Sequence, residues 1–213
     1  MAVIIINPNS TRSMTEAMVN QARLAAPSVR FEGWTSINGP AAIQGVADGE
    51  AAKRPLLELV EKASSQGADC IIIGCFDDTA LEEAADLAQC PVIGLGQAAY
   101  HYAALRNWRF SVVTTLSVSV PILQANIQRQ GLSPFLSQVR ASEVPVLELD
   151  ADPVGSGAVV LKEALQAQAS DDISAVILGC AGMAGVTAAV QAGLEIAAID
   201  PVTCAANCVK WLI

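Results

Sequence analysis

The chain has 213 residues, 53% of them hydrophobic, enough for one substantial core or two smaller cores that share an interface. Twelve Lys and Arg against 21 Asp and Glu leave a formal net charge of -9, which argues against a nucleic-acid partner because no basic surface meets a phosphate backbone. The apolar run Ala2 to Ile6 has no basic region before it and stops at Asn7-Pro8, too short for a signal peptide or a membrane span, so a cytoplasmic protein with no membrane partner is expected.

Short β-branched runs alternate with longer alanine-rich amphipathic stretches, the pattern of strands feeding helices in a mainly parallel sheet. In chain order the strands are expected at Val3 to Ile6, Arg30 to Trp34, Cys70 to Gly74, Val92 to Gly94, Phe110 to Thr114, Val144 to Glu148, Ala175 to Gly179 and Ile196 to Ile199, each followed by a helical stretch. The run Cys70-Ile71-Ile72-Ile73-Gly74-Cys75 returns as Ala175-Val176-Ile177-Leu178-Gly179-Cys180, an offset of 105 residues from position 75 to position 180. At the same offset the strand at Val92 falls over the strand ending at Ile199, and at nearly the same offset Asn7 to Ser10 falls over Thr114 to Ser117. The expected architecture is therefore α/β, with two pseudo-symmetric Rossmann-like lobes, each built on a four-stranded mainly parallel sheet. Lobe one takes residues 1–96 plus the last helix, 201–213, and lobe two takes 97–200. No Gly/Ser-rich or Pro-rich linker intervenes, which implies a tight hinge. Ligands of open α/β sheets bind beyond the carboxyl ends of the strands, so two facing lobes predict one cleft between them.

Cys75 and Cys180 each follow an apolar strand and a glycine, just before a helix expected near Thr79 or Gly182. A thiol there is expected close to backbone N–H groups and the positive end of a helix, which favours thiolate. An isolated buried cysteine is ordinarily a small hydrophobe, but two at matched strand ends point to chemistry. Cys70, Cys90, Cys204 and Cys208 carry no such match, and the six cysteines show no paired CxxC spacing for structural zinc. Asn7, Asn9, Ser10 and Thr11 close the first strand, with Ser10 or Thr11 expected to cap the next helix, and Thr114, Thr115 and Ser117 repeat the arrangement in lobe two. Such polar loops can hold carbonyl or anionic oxygen. His101, the one histidine, sits in an aromatic helical stretch near the lobe junction and is expected to pack there, which removes the usual base of a Ser-His or Cys-His mechanism. Asp77 can orient a substrate nitrogen or cap; Asp78 is expected to cap the helix that follows it, and Glu82, Glu83 and Asp86 form a solvated helix face. Gly94-Leu95-Gly96 lacks the third glycine and the acidic partner of a dinucleotide fingerprint, and no GxxxxGK run exists, so no nucleotide cofactor is implied.

Five segments in order, IINPNST at Ile5 to Thr11, NGPAAIQG at Asn38 to Gly45, GCF at Gly74 to Phe76, FSVVTT at Phe110 to Thr115 and GCAGM at Gly179 to Met183, resemble the aspartate/glutamate/hydantoin racemase superfamily, and within it the hydantoin and allantoin racemase branch. The resemblance implies no cofactor, self-association into a homo-oligomer, and an acid/base pair of cysteines at Cys75 and Cys180. It places substrate-binding residues at Asn7, Asn9, Ser10, Thr11, Gln44, Phe76, Asp77, Thr114, Thr115, Ala181 and Gly182. Family members commonly continue the first cysteine as CFGDP, whereas this chain reads Cys75-Phe76-Asp77-Asp78-Thr79, and the glutamate often found near position 44 is Gln44 here. An acidic side chain beside the thiol is expected to raise its pKa or crowd a substituent.

The implied activity is cofactor-independent racemisation of a hydantoin-type ring, such as a 5-substituted hydantoin or allantoin. One thiolate removes the proton beside a carbonyl and the opposing thiol returns one to the other face. A decarboxylase or cis-trans isomerase on the same fold needs only one of the two thiols, so the presence of both favours racemisation. A non-catalytic small-molecule sensor is the alternative of another class, because fold does not dictate function.

Overall fold

The computed structural model describes residues 2–213. The chain begins with β1 (Val3–Asn7), α1 (Arg12–Ala25), β2 (Phe31–Thr35), α2 (Val46–Ser65), β3 (Cys70–Ile73), α3 (Leu81–Leu87), β4 (Val92–Gly94) and α4 (Leu95–Leu105). It continues with β5 (Phe110–Thr114), α5 (Val120–Arg129), β6 (Leu136–Ala141), α6 (Val146–Ala151), α7 (Pro153–Ser170), β7 (Ala175–Gly179), α8 (Thr187–Gly193), β8 (Ala197–Ile199) and α9 (Pro201–Leu212). Two four-stranded sheets result, ordered β2-β1-β3-β4 and β6-β5-β7-β8, with every pairing parallel. The second order is the first with four added to each number, so the repeat at 105 residues in the sequence is a repeat of topology. Parallel strands buried on both faces read as continuous apolar runs. Val3–Asn7, Cys70–Ile73, Phe110–Thr114 and Ala175–Gly179 are buried throughout.

One strand lies elsewhere than the sequence suggests. The alternation in Val144-Pro145-Val146-Leu147-Glu148 predicts a strand, but Pro145 takes the position before a helix, and Val146 and Leu149 bury as an i, i+3 pair on α6. The sixth strand is instead Leu136–Ala141, an edge strand that carries Ser137, Gln138 and Arg140 and is only half-buried. Edge strands tolerate such polar side chains, which weakens their signal in the sequence.

A large hydrophobic core runs across both lobes. Tyr100 of α4, fully buried, stacks on Phe110 of β5 with ring centroids 5.9 Å apart and meets Phe76 edge to face at 5.4 Å. Aromatic pairs of this geometry are stabilising beyond their buried area. The final helix, α9, packs against α1 and α4. His101, next to Tyr100, is exposed, contrary to the packing expected of it, because the buried face of α4 is taken by Tyr100, Ala99 and Ala103; its Nδ1 meets the Gln97 carbonyl at 2.9 Å. Among the described residues no helix is long and apolar enough to cross a membrane, and no cluster of His, Cys, Asp and Glu has the makings of a metal site.

The edge strand is tied down by charge. Arg140 donates from Nε to Asp171 Oδ2 at 2.7 Å and from Nη1 to Glu163 at 3.1 Å, while the Ser111 hydroxyl of β5 donates to Asp171 Oδ2 at 2.7 Å. Burial alone raises the Asp171 pKa, but the hydrogen bonds from Arg140, Ser111 and Ser170 outweigh it and hold the carboxyl below its usual range. Removing one member of a buried ion pair strands the other, so Asp171→Ala is expected to cost about 3 kcal/mol in urea denaturation. A depressed carboxyl contributes stability above its unfolded value of about 3.9, and that part of the stability is expected to be lost as pH falls through the lower folded value.

Candidate active site

The cleft lies at the carboxyl ends of β1, β3, β5 and β7. Asn9, Cys75, Phe76 and Asp77 line it from the first sheet, and Thr114, Thr115, Cys180, Ala181 and Gly182 from the second. Met14, Met18, Ile43, Leu123 and Val146 add apolar wall, and the space measures about 510 Å³ including its open mouth. Cys75 and Cys180 follow β3 and β7, which hold the same place in the two sheet orders. Their glycines, Gly74 and Gly179, also line the cleft. The structure thus brings both thiols to one pocket.

Four residues expected to bind substrate are not on the cleft wall, because each already has a structural partner. Asn7 is fully buried and donates from Nδ2 to Asn9 Oδ1 at 2.9 Å and to Thr15 Oγ1 at 3.0 Å. Ser10 and Thr11 donate their hydroxyls to the carbonyls of Pro40 and Ala41, at 3.2 and 2.8 Å, so neither side chain caps α1. Gln44 accepts the Val146 N–H at 2.8 Å and so joins the lobes across the cleft. Together these bonds aim Asn9. Its Oδ1 is used by Asn7 and by the Thr11 N–H, which leaves the amide Nδ2 facing Met14 Sδ at 3.6 Å, a weak partner that a carbonyl can replace.

Asp78 also departs from expectation. It takes a left-handed backbone, φ 52°, and its carboxylate reaches past the helix that follows to accept the N–H groups of Gly96 and Gln97, at 2.9 and 2.7 Å. These are orphan donors of the first turn of α4, so Asp78 caps that helix from a distance. A side chain at Gly94 or Gly96 would not fit: a Cβ at Gly94 would lie 2.0 Å from Asp78 Oδ1, and one at Gly96 2.4 Å from the Phe76 carbonyl. The Gly94-Leu95-Gly96 pair clears room for the cysteine loop. Burial pushes the Asp78 carboxyl up to about 8 against the pull of its two N–H donors.

Asn126 of α5 is a site residue that periodicity hides, since it sits with Leu123 and Ile127 on the buried face of its helix. Its Nδ2 donates to the Asp77 carbonyl at 2.6 Å, a bond from lobe two to the loop that carries Cys75. A buried amide amid apolar neighbours is the available signal, because such a group needs a partner. Val146 and Ile43 were hidden by the misplaced sixth strand and by the absence of any chemical function.

The thiols are not poised as thiolates, which corrects the expectation from helix termini. Burial raises the Cys75 pKa well above the ordinary thiol value, and the Asp77 carboxylate adds to it by repulsion and by accepting from the thiol, against the Asp77 N–H and Thr79. Burial likewise pushes Cys180 up to about 11, opposed by the N–H groups of Gly182 and Met183 and reinforced by Asp77. The helix after Cys75 begins only at Leu81, and the one after Cys180 opens as a 3₁₀ turn at Ala181, so Cys180 alone has helix N–H groups beside its sulfur. Desolvation wins at both positions.

A two-lobed α/β protein with a Gly-Cys strand end from each lobe facing one cleft, and polar amide and hydroxyl groups around it, has the form of an acid/base enzyme. A profile of the Asp/Glu/Hydantoin racemase family matches residues 3–209. The hydantoin racemase of Rhizobium meliloti is 37% identical over 214 aligned positions, covering 100% of this chain and 89% of that protein. Allantoin racemase from Klebsiella pneumoniae superposes with a TM-score of 0.92 at 32% identity, covering 100% of this chain and 87% of that one. Allantoin racemase from Pseudomonas fluorescens does so with a TM-score of 0.94 at 30% identity, covering 100% and 90%. The chain belongs to the Asp/Glu/hydantoin racemase family, in its hydantoin/allantoin branch, and is an isomerase of the racemase type.

Gly96→Ala is expected to cost about 1–3 kcal/mol through overpacking and to lower turnover by displacing the Phe76 carbonyl and with it Cys75. Thermal denaturation and activity measured on the same variant check it. The raised thiols make a second expectation: alkylation of the Cys180 peptide by iodoacetamide, followed by mass spectrometry, should keep accelerating with pH up to about 11. A plateau below pH 9 contradicts it.

Proposed function

We propose that the protein interconverts the enantiomers of a hydantoin-type ring, a 5-substituted hydantoin or allantoin, by two-base proton transfer between Cys75 and Cys180, without a cofactor. The observation that carries this reading is the delivery of both Gly-Cys strand ends to the same cleft by two sheets of identical order. One cysteine, as thiolate, takes the proton from the ring carbon beside the carbonyl; the other, as thiol, protonates the opposite face. The high thiol pKa thins the thiolate population but makes each thiolate a strong base, which a carbon acid requires. The Asn9 amide and the buried Thr115 hydroxyl are placed to receive the oxygen on which charge develops, and the methionine and leucine wall limits water. The Thr114 hydroxyl already donates to the Gly179 carbonyl at 3.0 Å, so its part is to hold the strand end that carries Cys180.

Incubation of one enantiomer of a 5-substituted hydantoin in D₂O is expected to give loss of optical rotation with deuterium at the ring carbon. Cys75→Ser and Cys180→Ser should each lower racemisation by at least about 10²-fold, the scale of a lost general acid or base, with unchanged circular dichroism. Near-normal turnover of Cys180→Ser overturns the two-base assignment, and binding without exchange makes the protein a sensor.

A further inference from the structure

Asp77 is the one carboxylate on the cleft wall, and no Lys, Arg or His lines it. Its position is held from both lobes. The Thr79 N–H and hydroxyl donate to Oδ1 at 3.2 and 2.5 Å, and Asn126 binds the backbone carbonyl at 2.6 Å. Among the described residues Oδ2 takes no backbone N–H, amide or hydroxyl donor, so beyond the neighbouring Cys75 thiol it is left for the cleft. The carboxylate also acts on both thiols, raising Cys75 and Cys180 alike, which places it between the two reacting groups in electrostatic terms.

We propose that Asp77 sets substrate charge: its free oxygen accepts a ring N–H of an uncharged cyclic substrate and repels any molecule that carries a carboxylate next to the reacting carbon. A free α-amino acid or a ring-opened carbamoyl acid brings such a carboxylate and finds no cation in the cleft to neutralise it. A neutral ring of the cyclic urea or imide type has N–H donors and no net charge, and it meets Asp77 favourably. This proposal rests on the racemase reading for the identity of the reacting carbon, but the charge filter itself does not depend on turnover.

The test compares wild type, Asp77→Asn and Asp77→Gly in two assays. In the first, Cys75 and Cys180 are alkylated with neutral iodoacetamide and anionic iodoacetate, and the rate ratio of the two reagents at each thiol is read by mass spectrometry. Both reagents attack the same thiolate, so the ratio is insensitive to its pKa and reports only the field at the sulfur. The wild-type ratio should exceed that of glutathione by about tenfold or more, and both variants should bring it down toward glutathione, as expected for one like charge a few ångströms away. In the second, racemisation of a 5-substituted hydantoin is followed with the matching N-carbamoyl amino acid as inhibitor. Asp77→Asn should raise KM by about tenfold, a typical loss for a hydrogen bond to a charged group, shift the pH profile of kcat toward lower pH, and make the carbamoyl acid a tighter inhibitor. Asp77→Asn keeps the Thr79 bonds, so an unchanged melting temperature separates charge from misfolding. An alkylation ratio that does not move in either variant overturns the proposal, even if hydantoins are turned over. A ratio that moves with no hydantoin turnover keeps the charge filter and sinks the racemase reading.

Discussion

Parallel strands all present their carboxyl ends to one edge of the sheet, and that constraint makes the site. Each lobe uses the order second, first, third, fourth, so its third strand, β3 or β7, stands beside the first with its end aimed at the other lobe. A Gly-Cys dipeptide placed straight after that strand arrives at the cleft without needing a long loop. Duplication then supplies the opposed geometry that proton transfer to either face of one carbon demands. The shared aromatic core of Phe76, Tyr100 and Phe110 holds the lobes in that relation, and the bonds from Gln44 to Val146 and from Asn126 to Asp77 fasten the rim.

The same enclosure that aligns the thiols works against their ionisation. Burial is the largest influence on both, and the N–H donors around them are too few to reverse it. Cys180 has the better environment, with the Gly182 and Met183 N–H groups at the start of a 3₁₀ turn. Cys75 has a carboxylate for a neighbour. The two halves of the site are thus alike in backbone and unlike in field, an asymmetry that comes from Asp77 and Thr79 in the first lobe against Ala181 and Gly182 in the second.

Much of this was legible in the residues. Seven strands, the duplication and the matched cysteines follow from apolar runs and from one repeated hexapeptide, since a strand buried on both faces has a sequence signature that little else shares. The sixth strand was not legible, because Leu136–Ala141 alternates polar and apolar residues at a sheet edge while Val144 to Glu148 mimics a strand until Pro145 is recognised as a helix entry. Chemistry-bearing residue types were found readily, but their partners were not. Asn7, Ser10, Thr11 and Gln44 look like ligands for a substrate and turn out to bind the protein, because a polar side chain beside a cleft serves the loop first. Asp78 reads as a local cap and instead spans 18 residues to reach Gly96, a pairing that no local pattern encodes.

That long reach explains why glycine stands at 94 and 96. The Cys75 loop has no helix immediately after it to fix its course, since α3 starts at Leu81, and left-handed residues at Asp78 and Ala80 bend it sharply. Such a loop needs an external anchor, and the Asp78 carboxylate finds it in the unpaired N–H groups of α4. Close approach requires the absence of Cβ atoms at the receiving end, which a dinucleotide fingerprint would also require for a different reason. The partial glycine motif is therefore a receptor for the protein's own carboxylate. Its position under Phe76 couples the start of α4 to the thiol, so a residue some twenty positions away in sequence bears on where Cys75 sits.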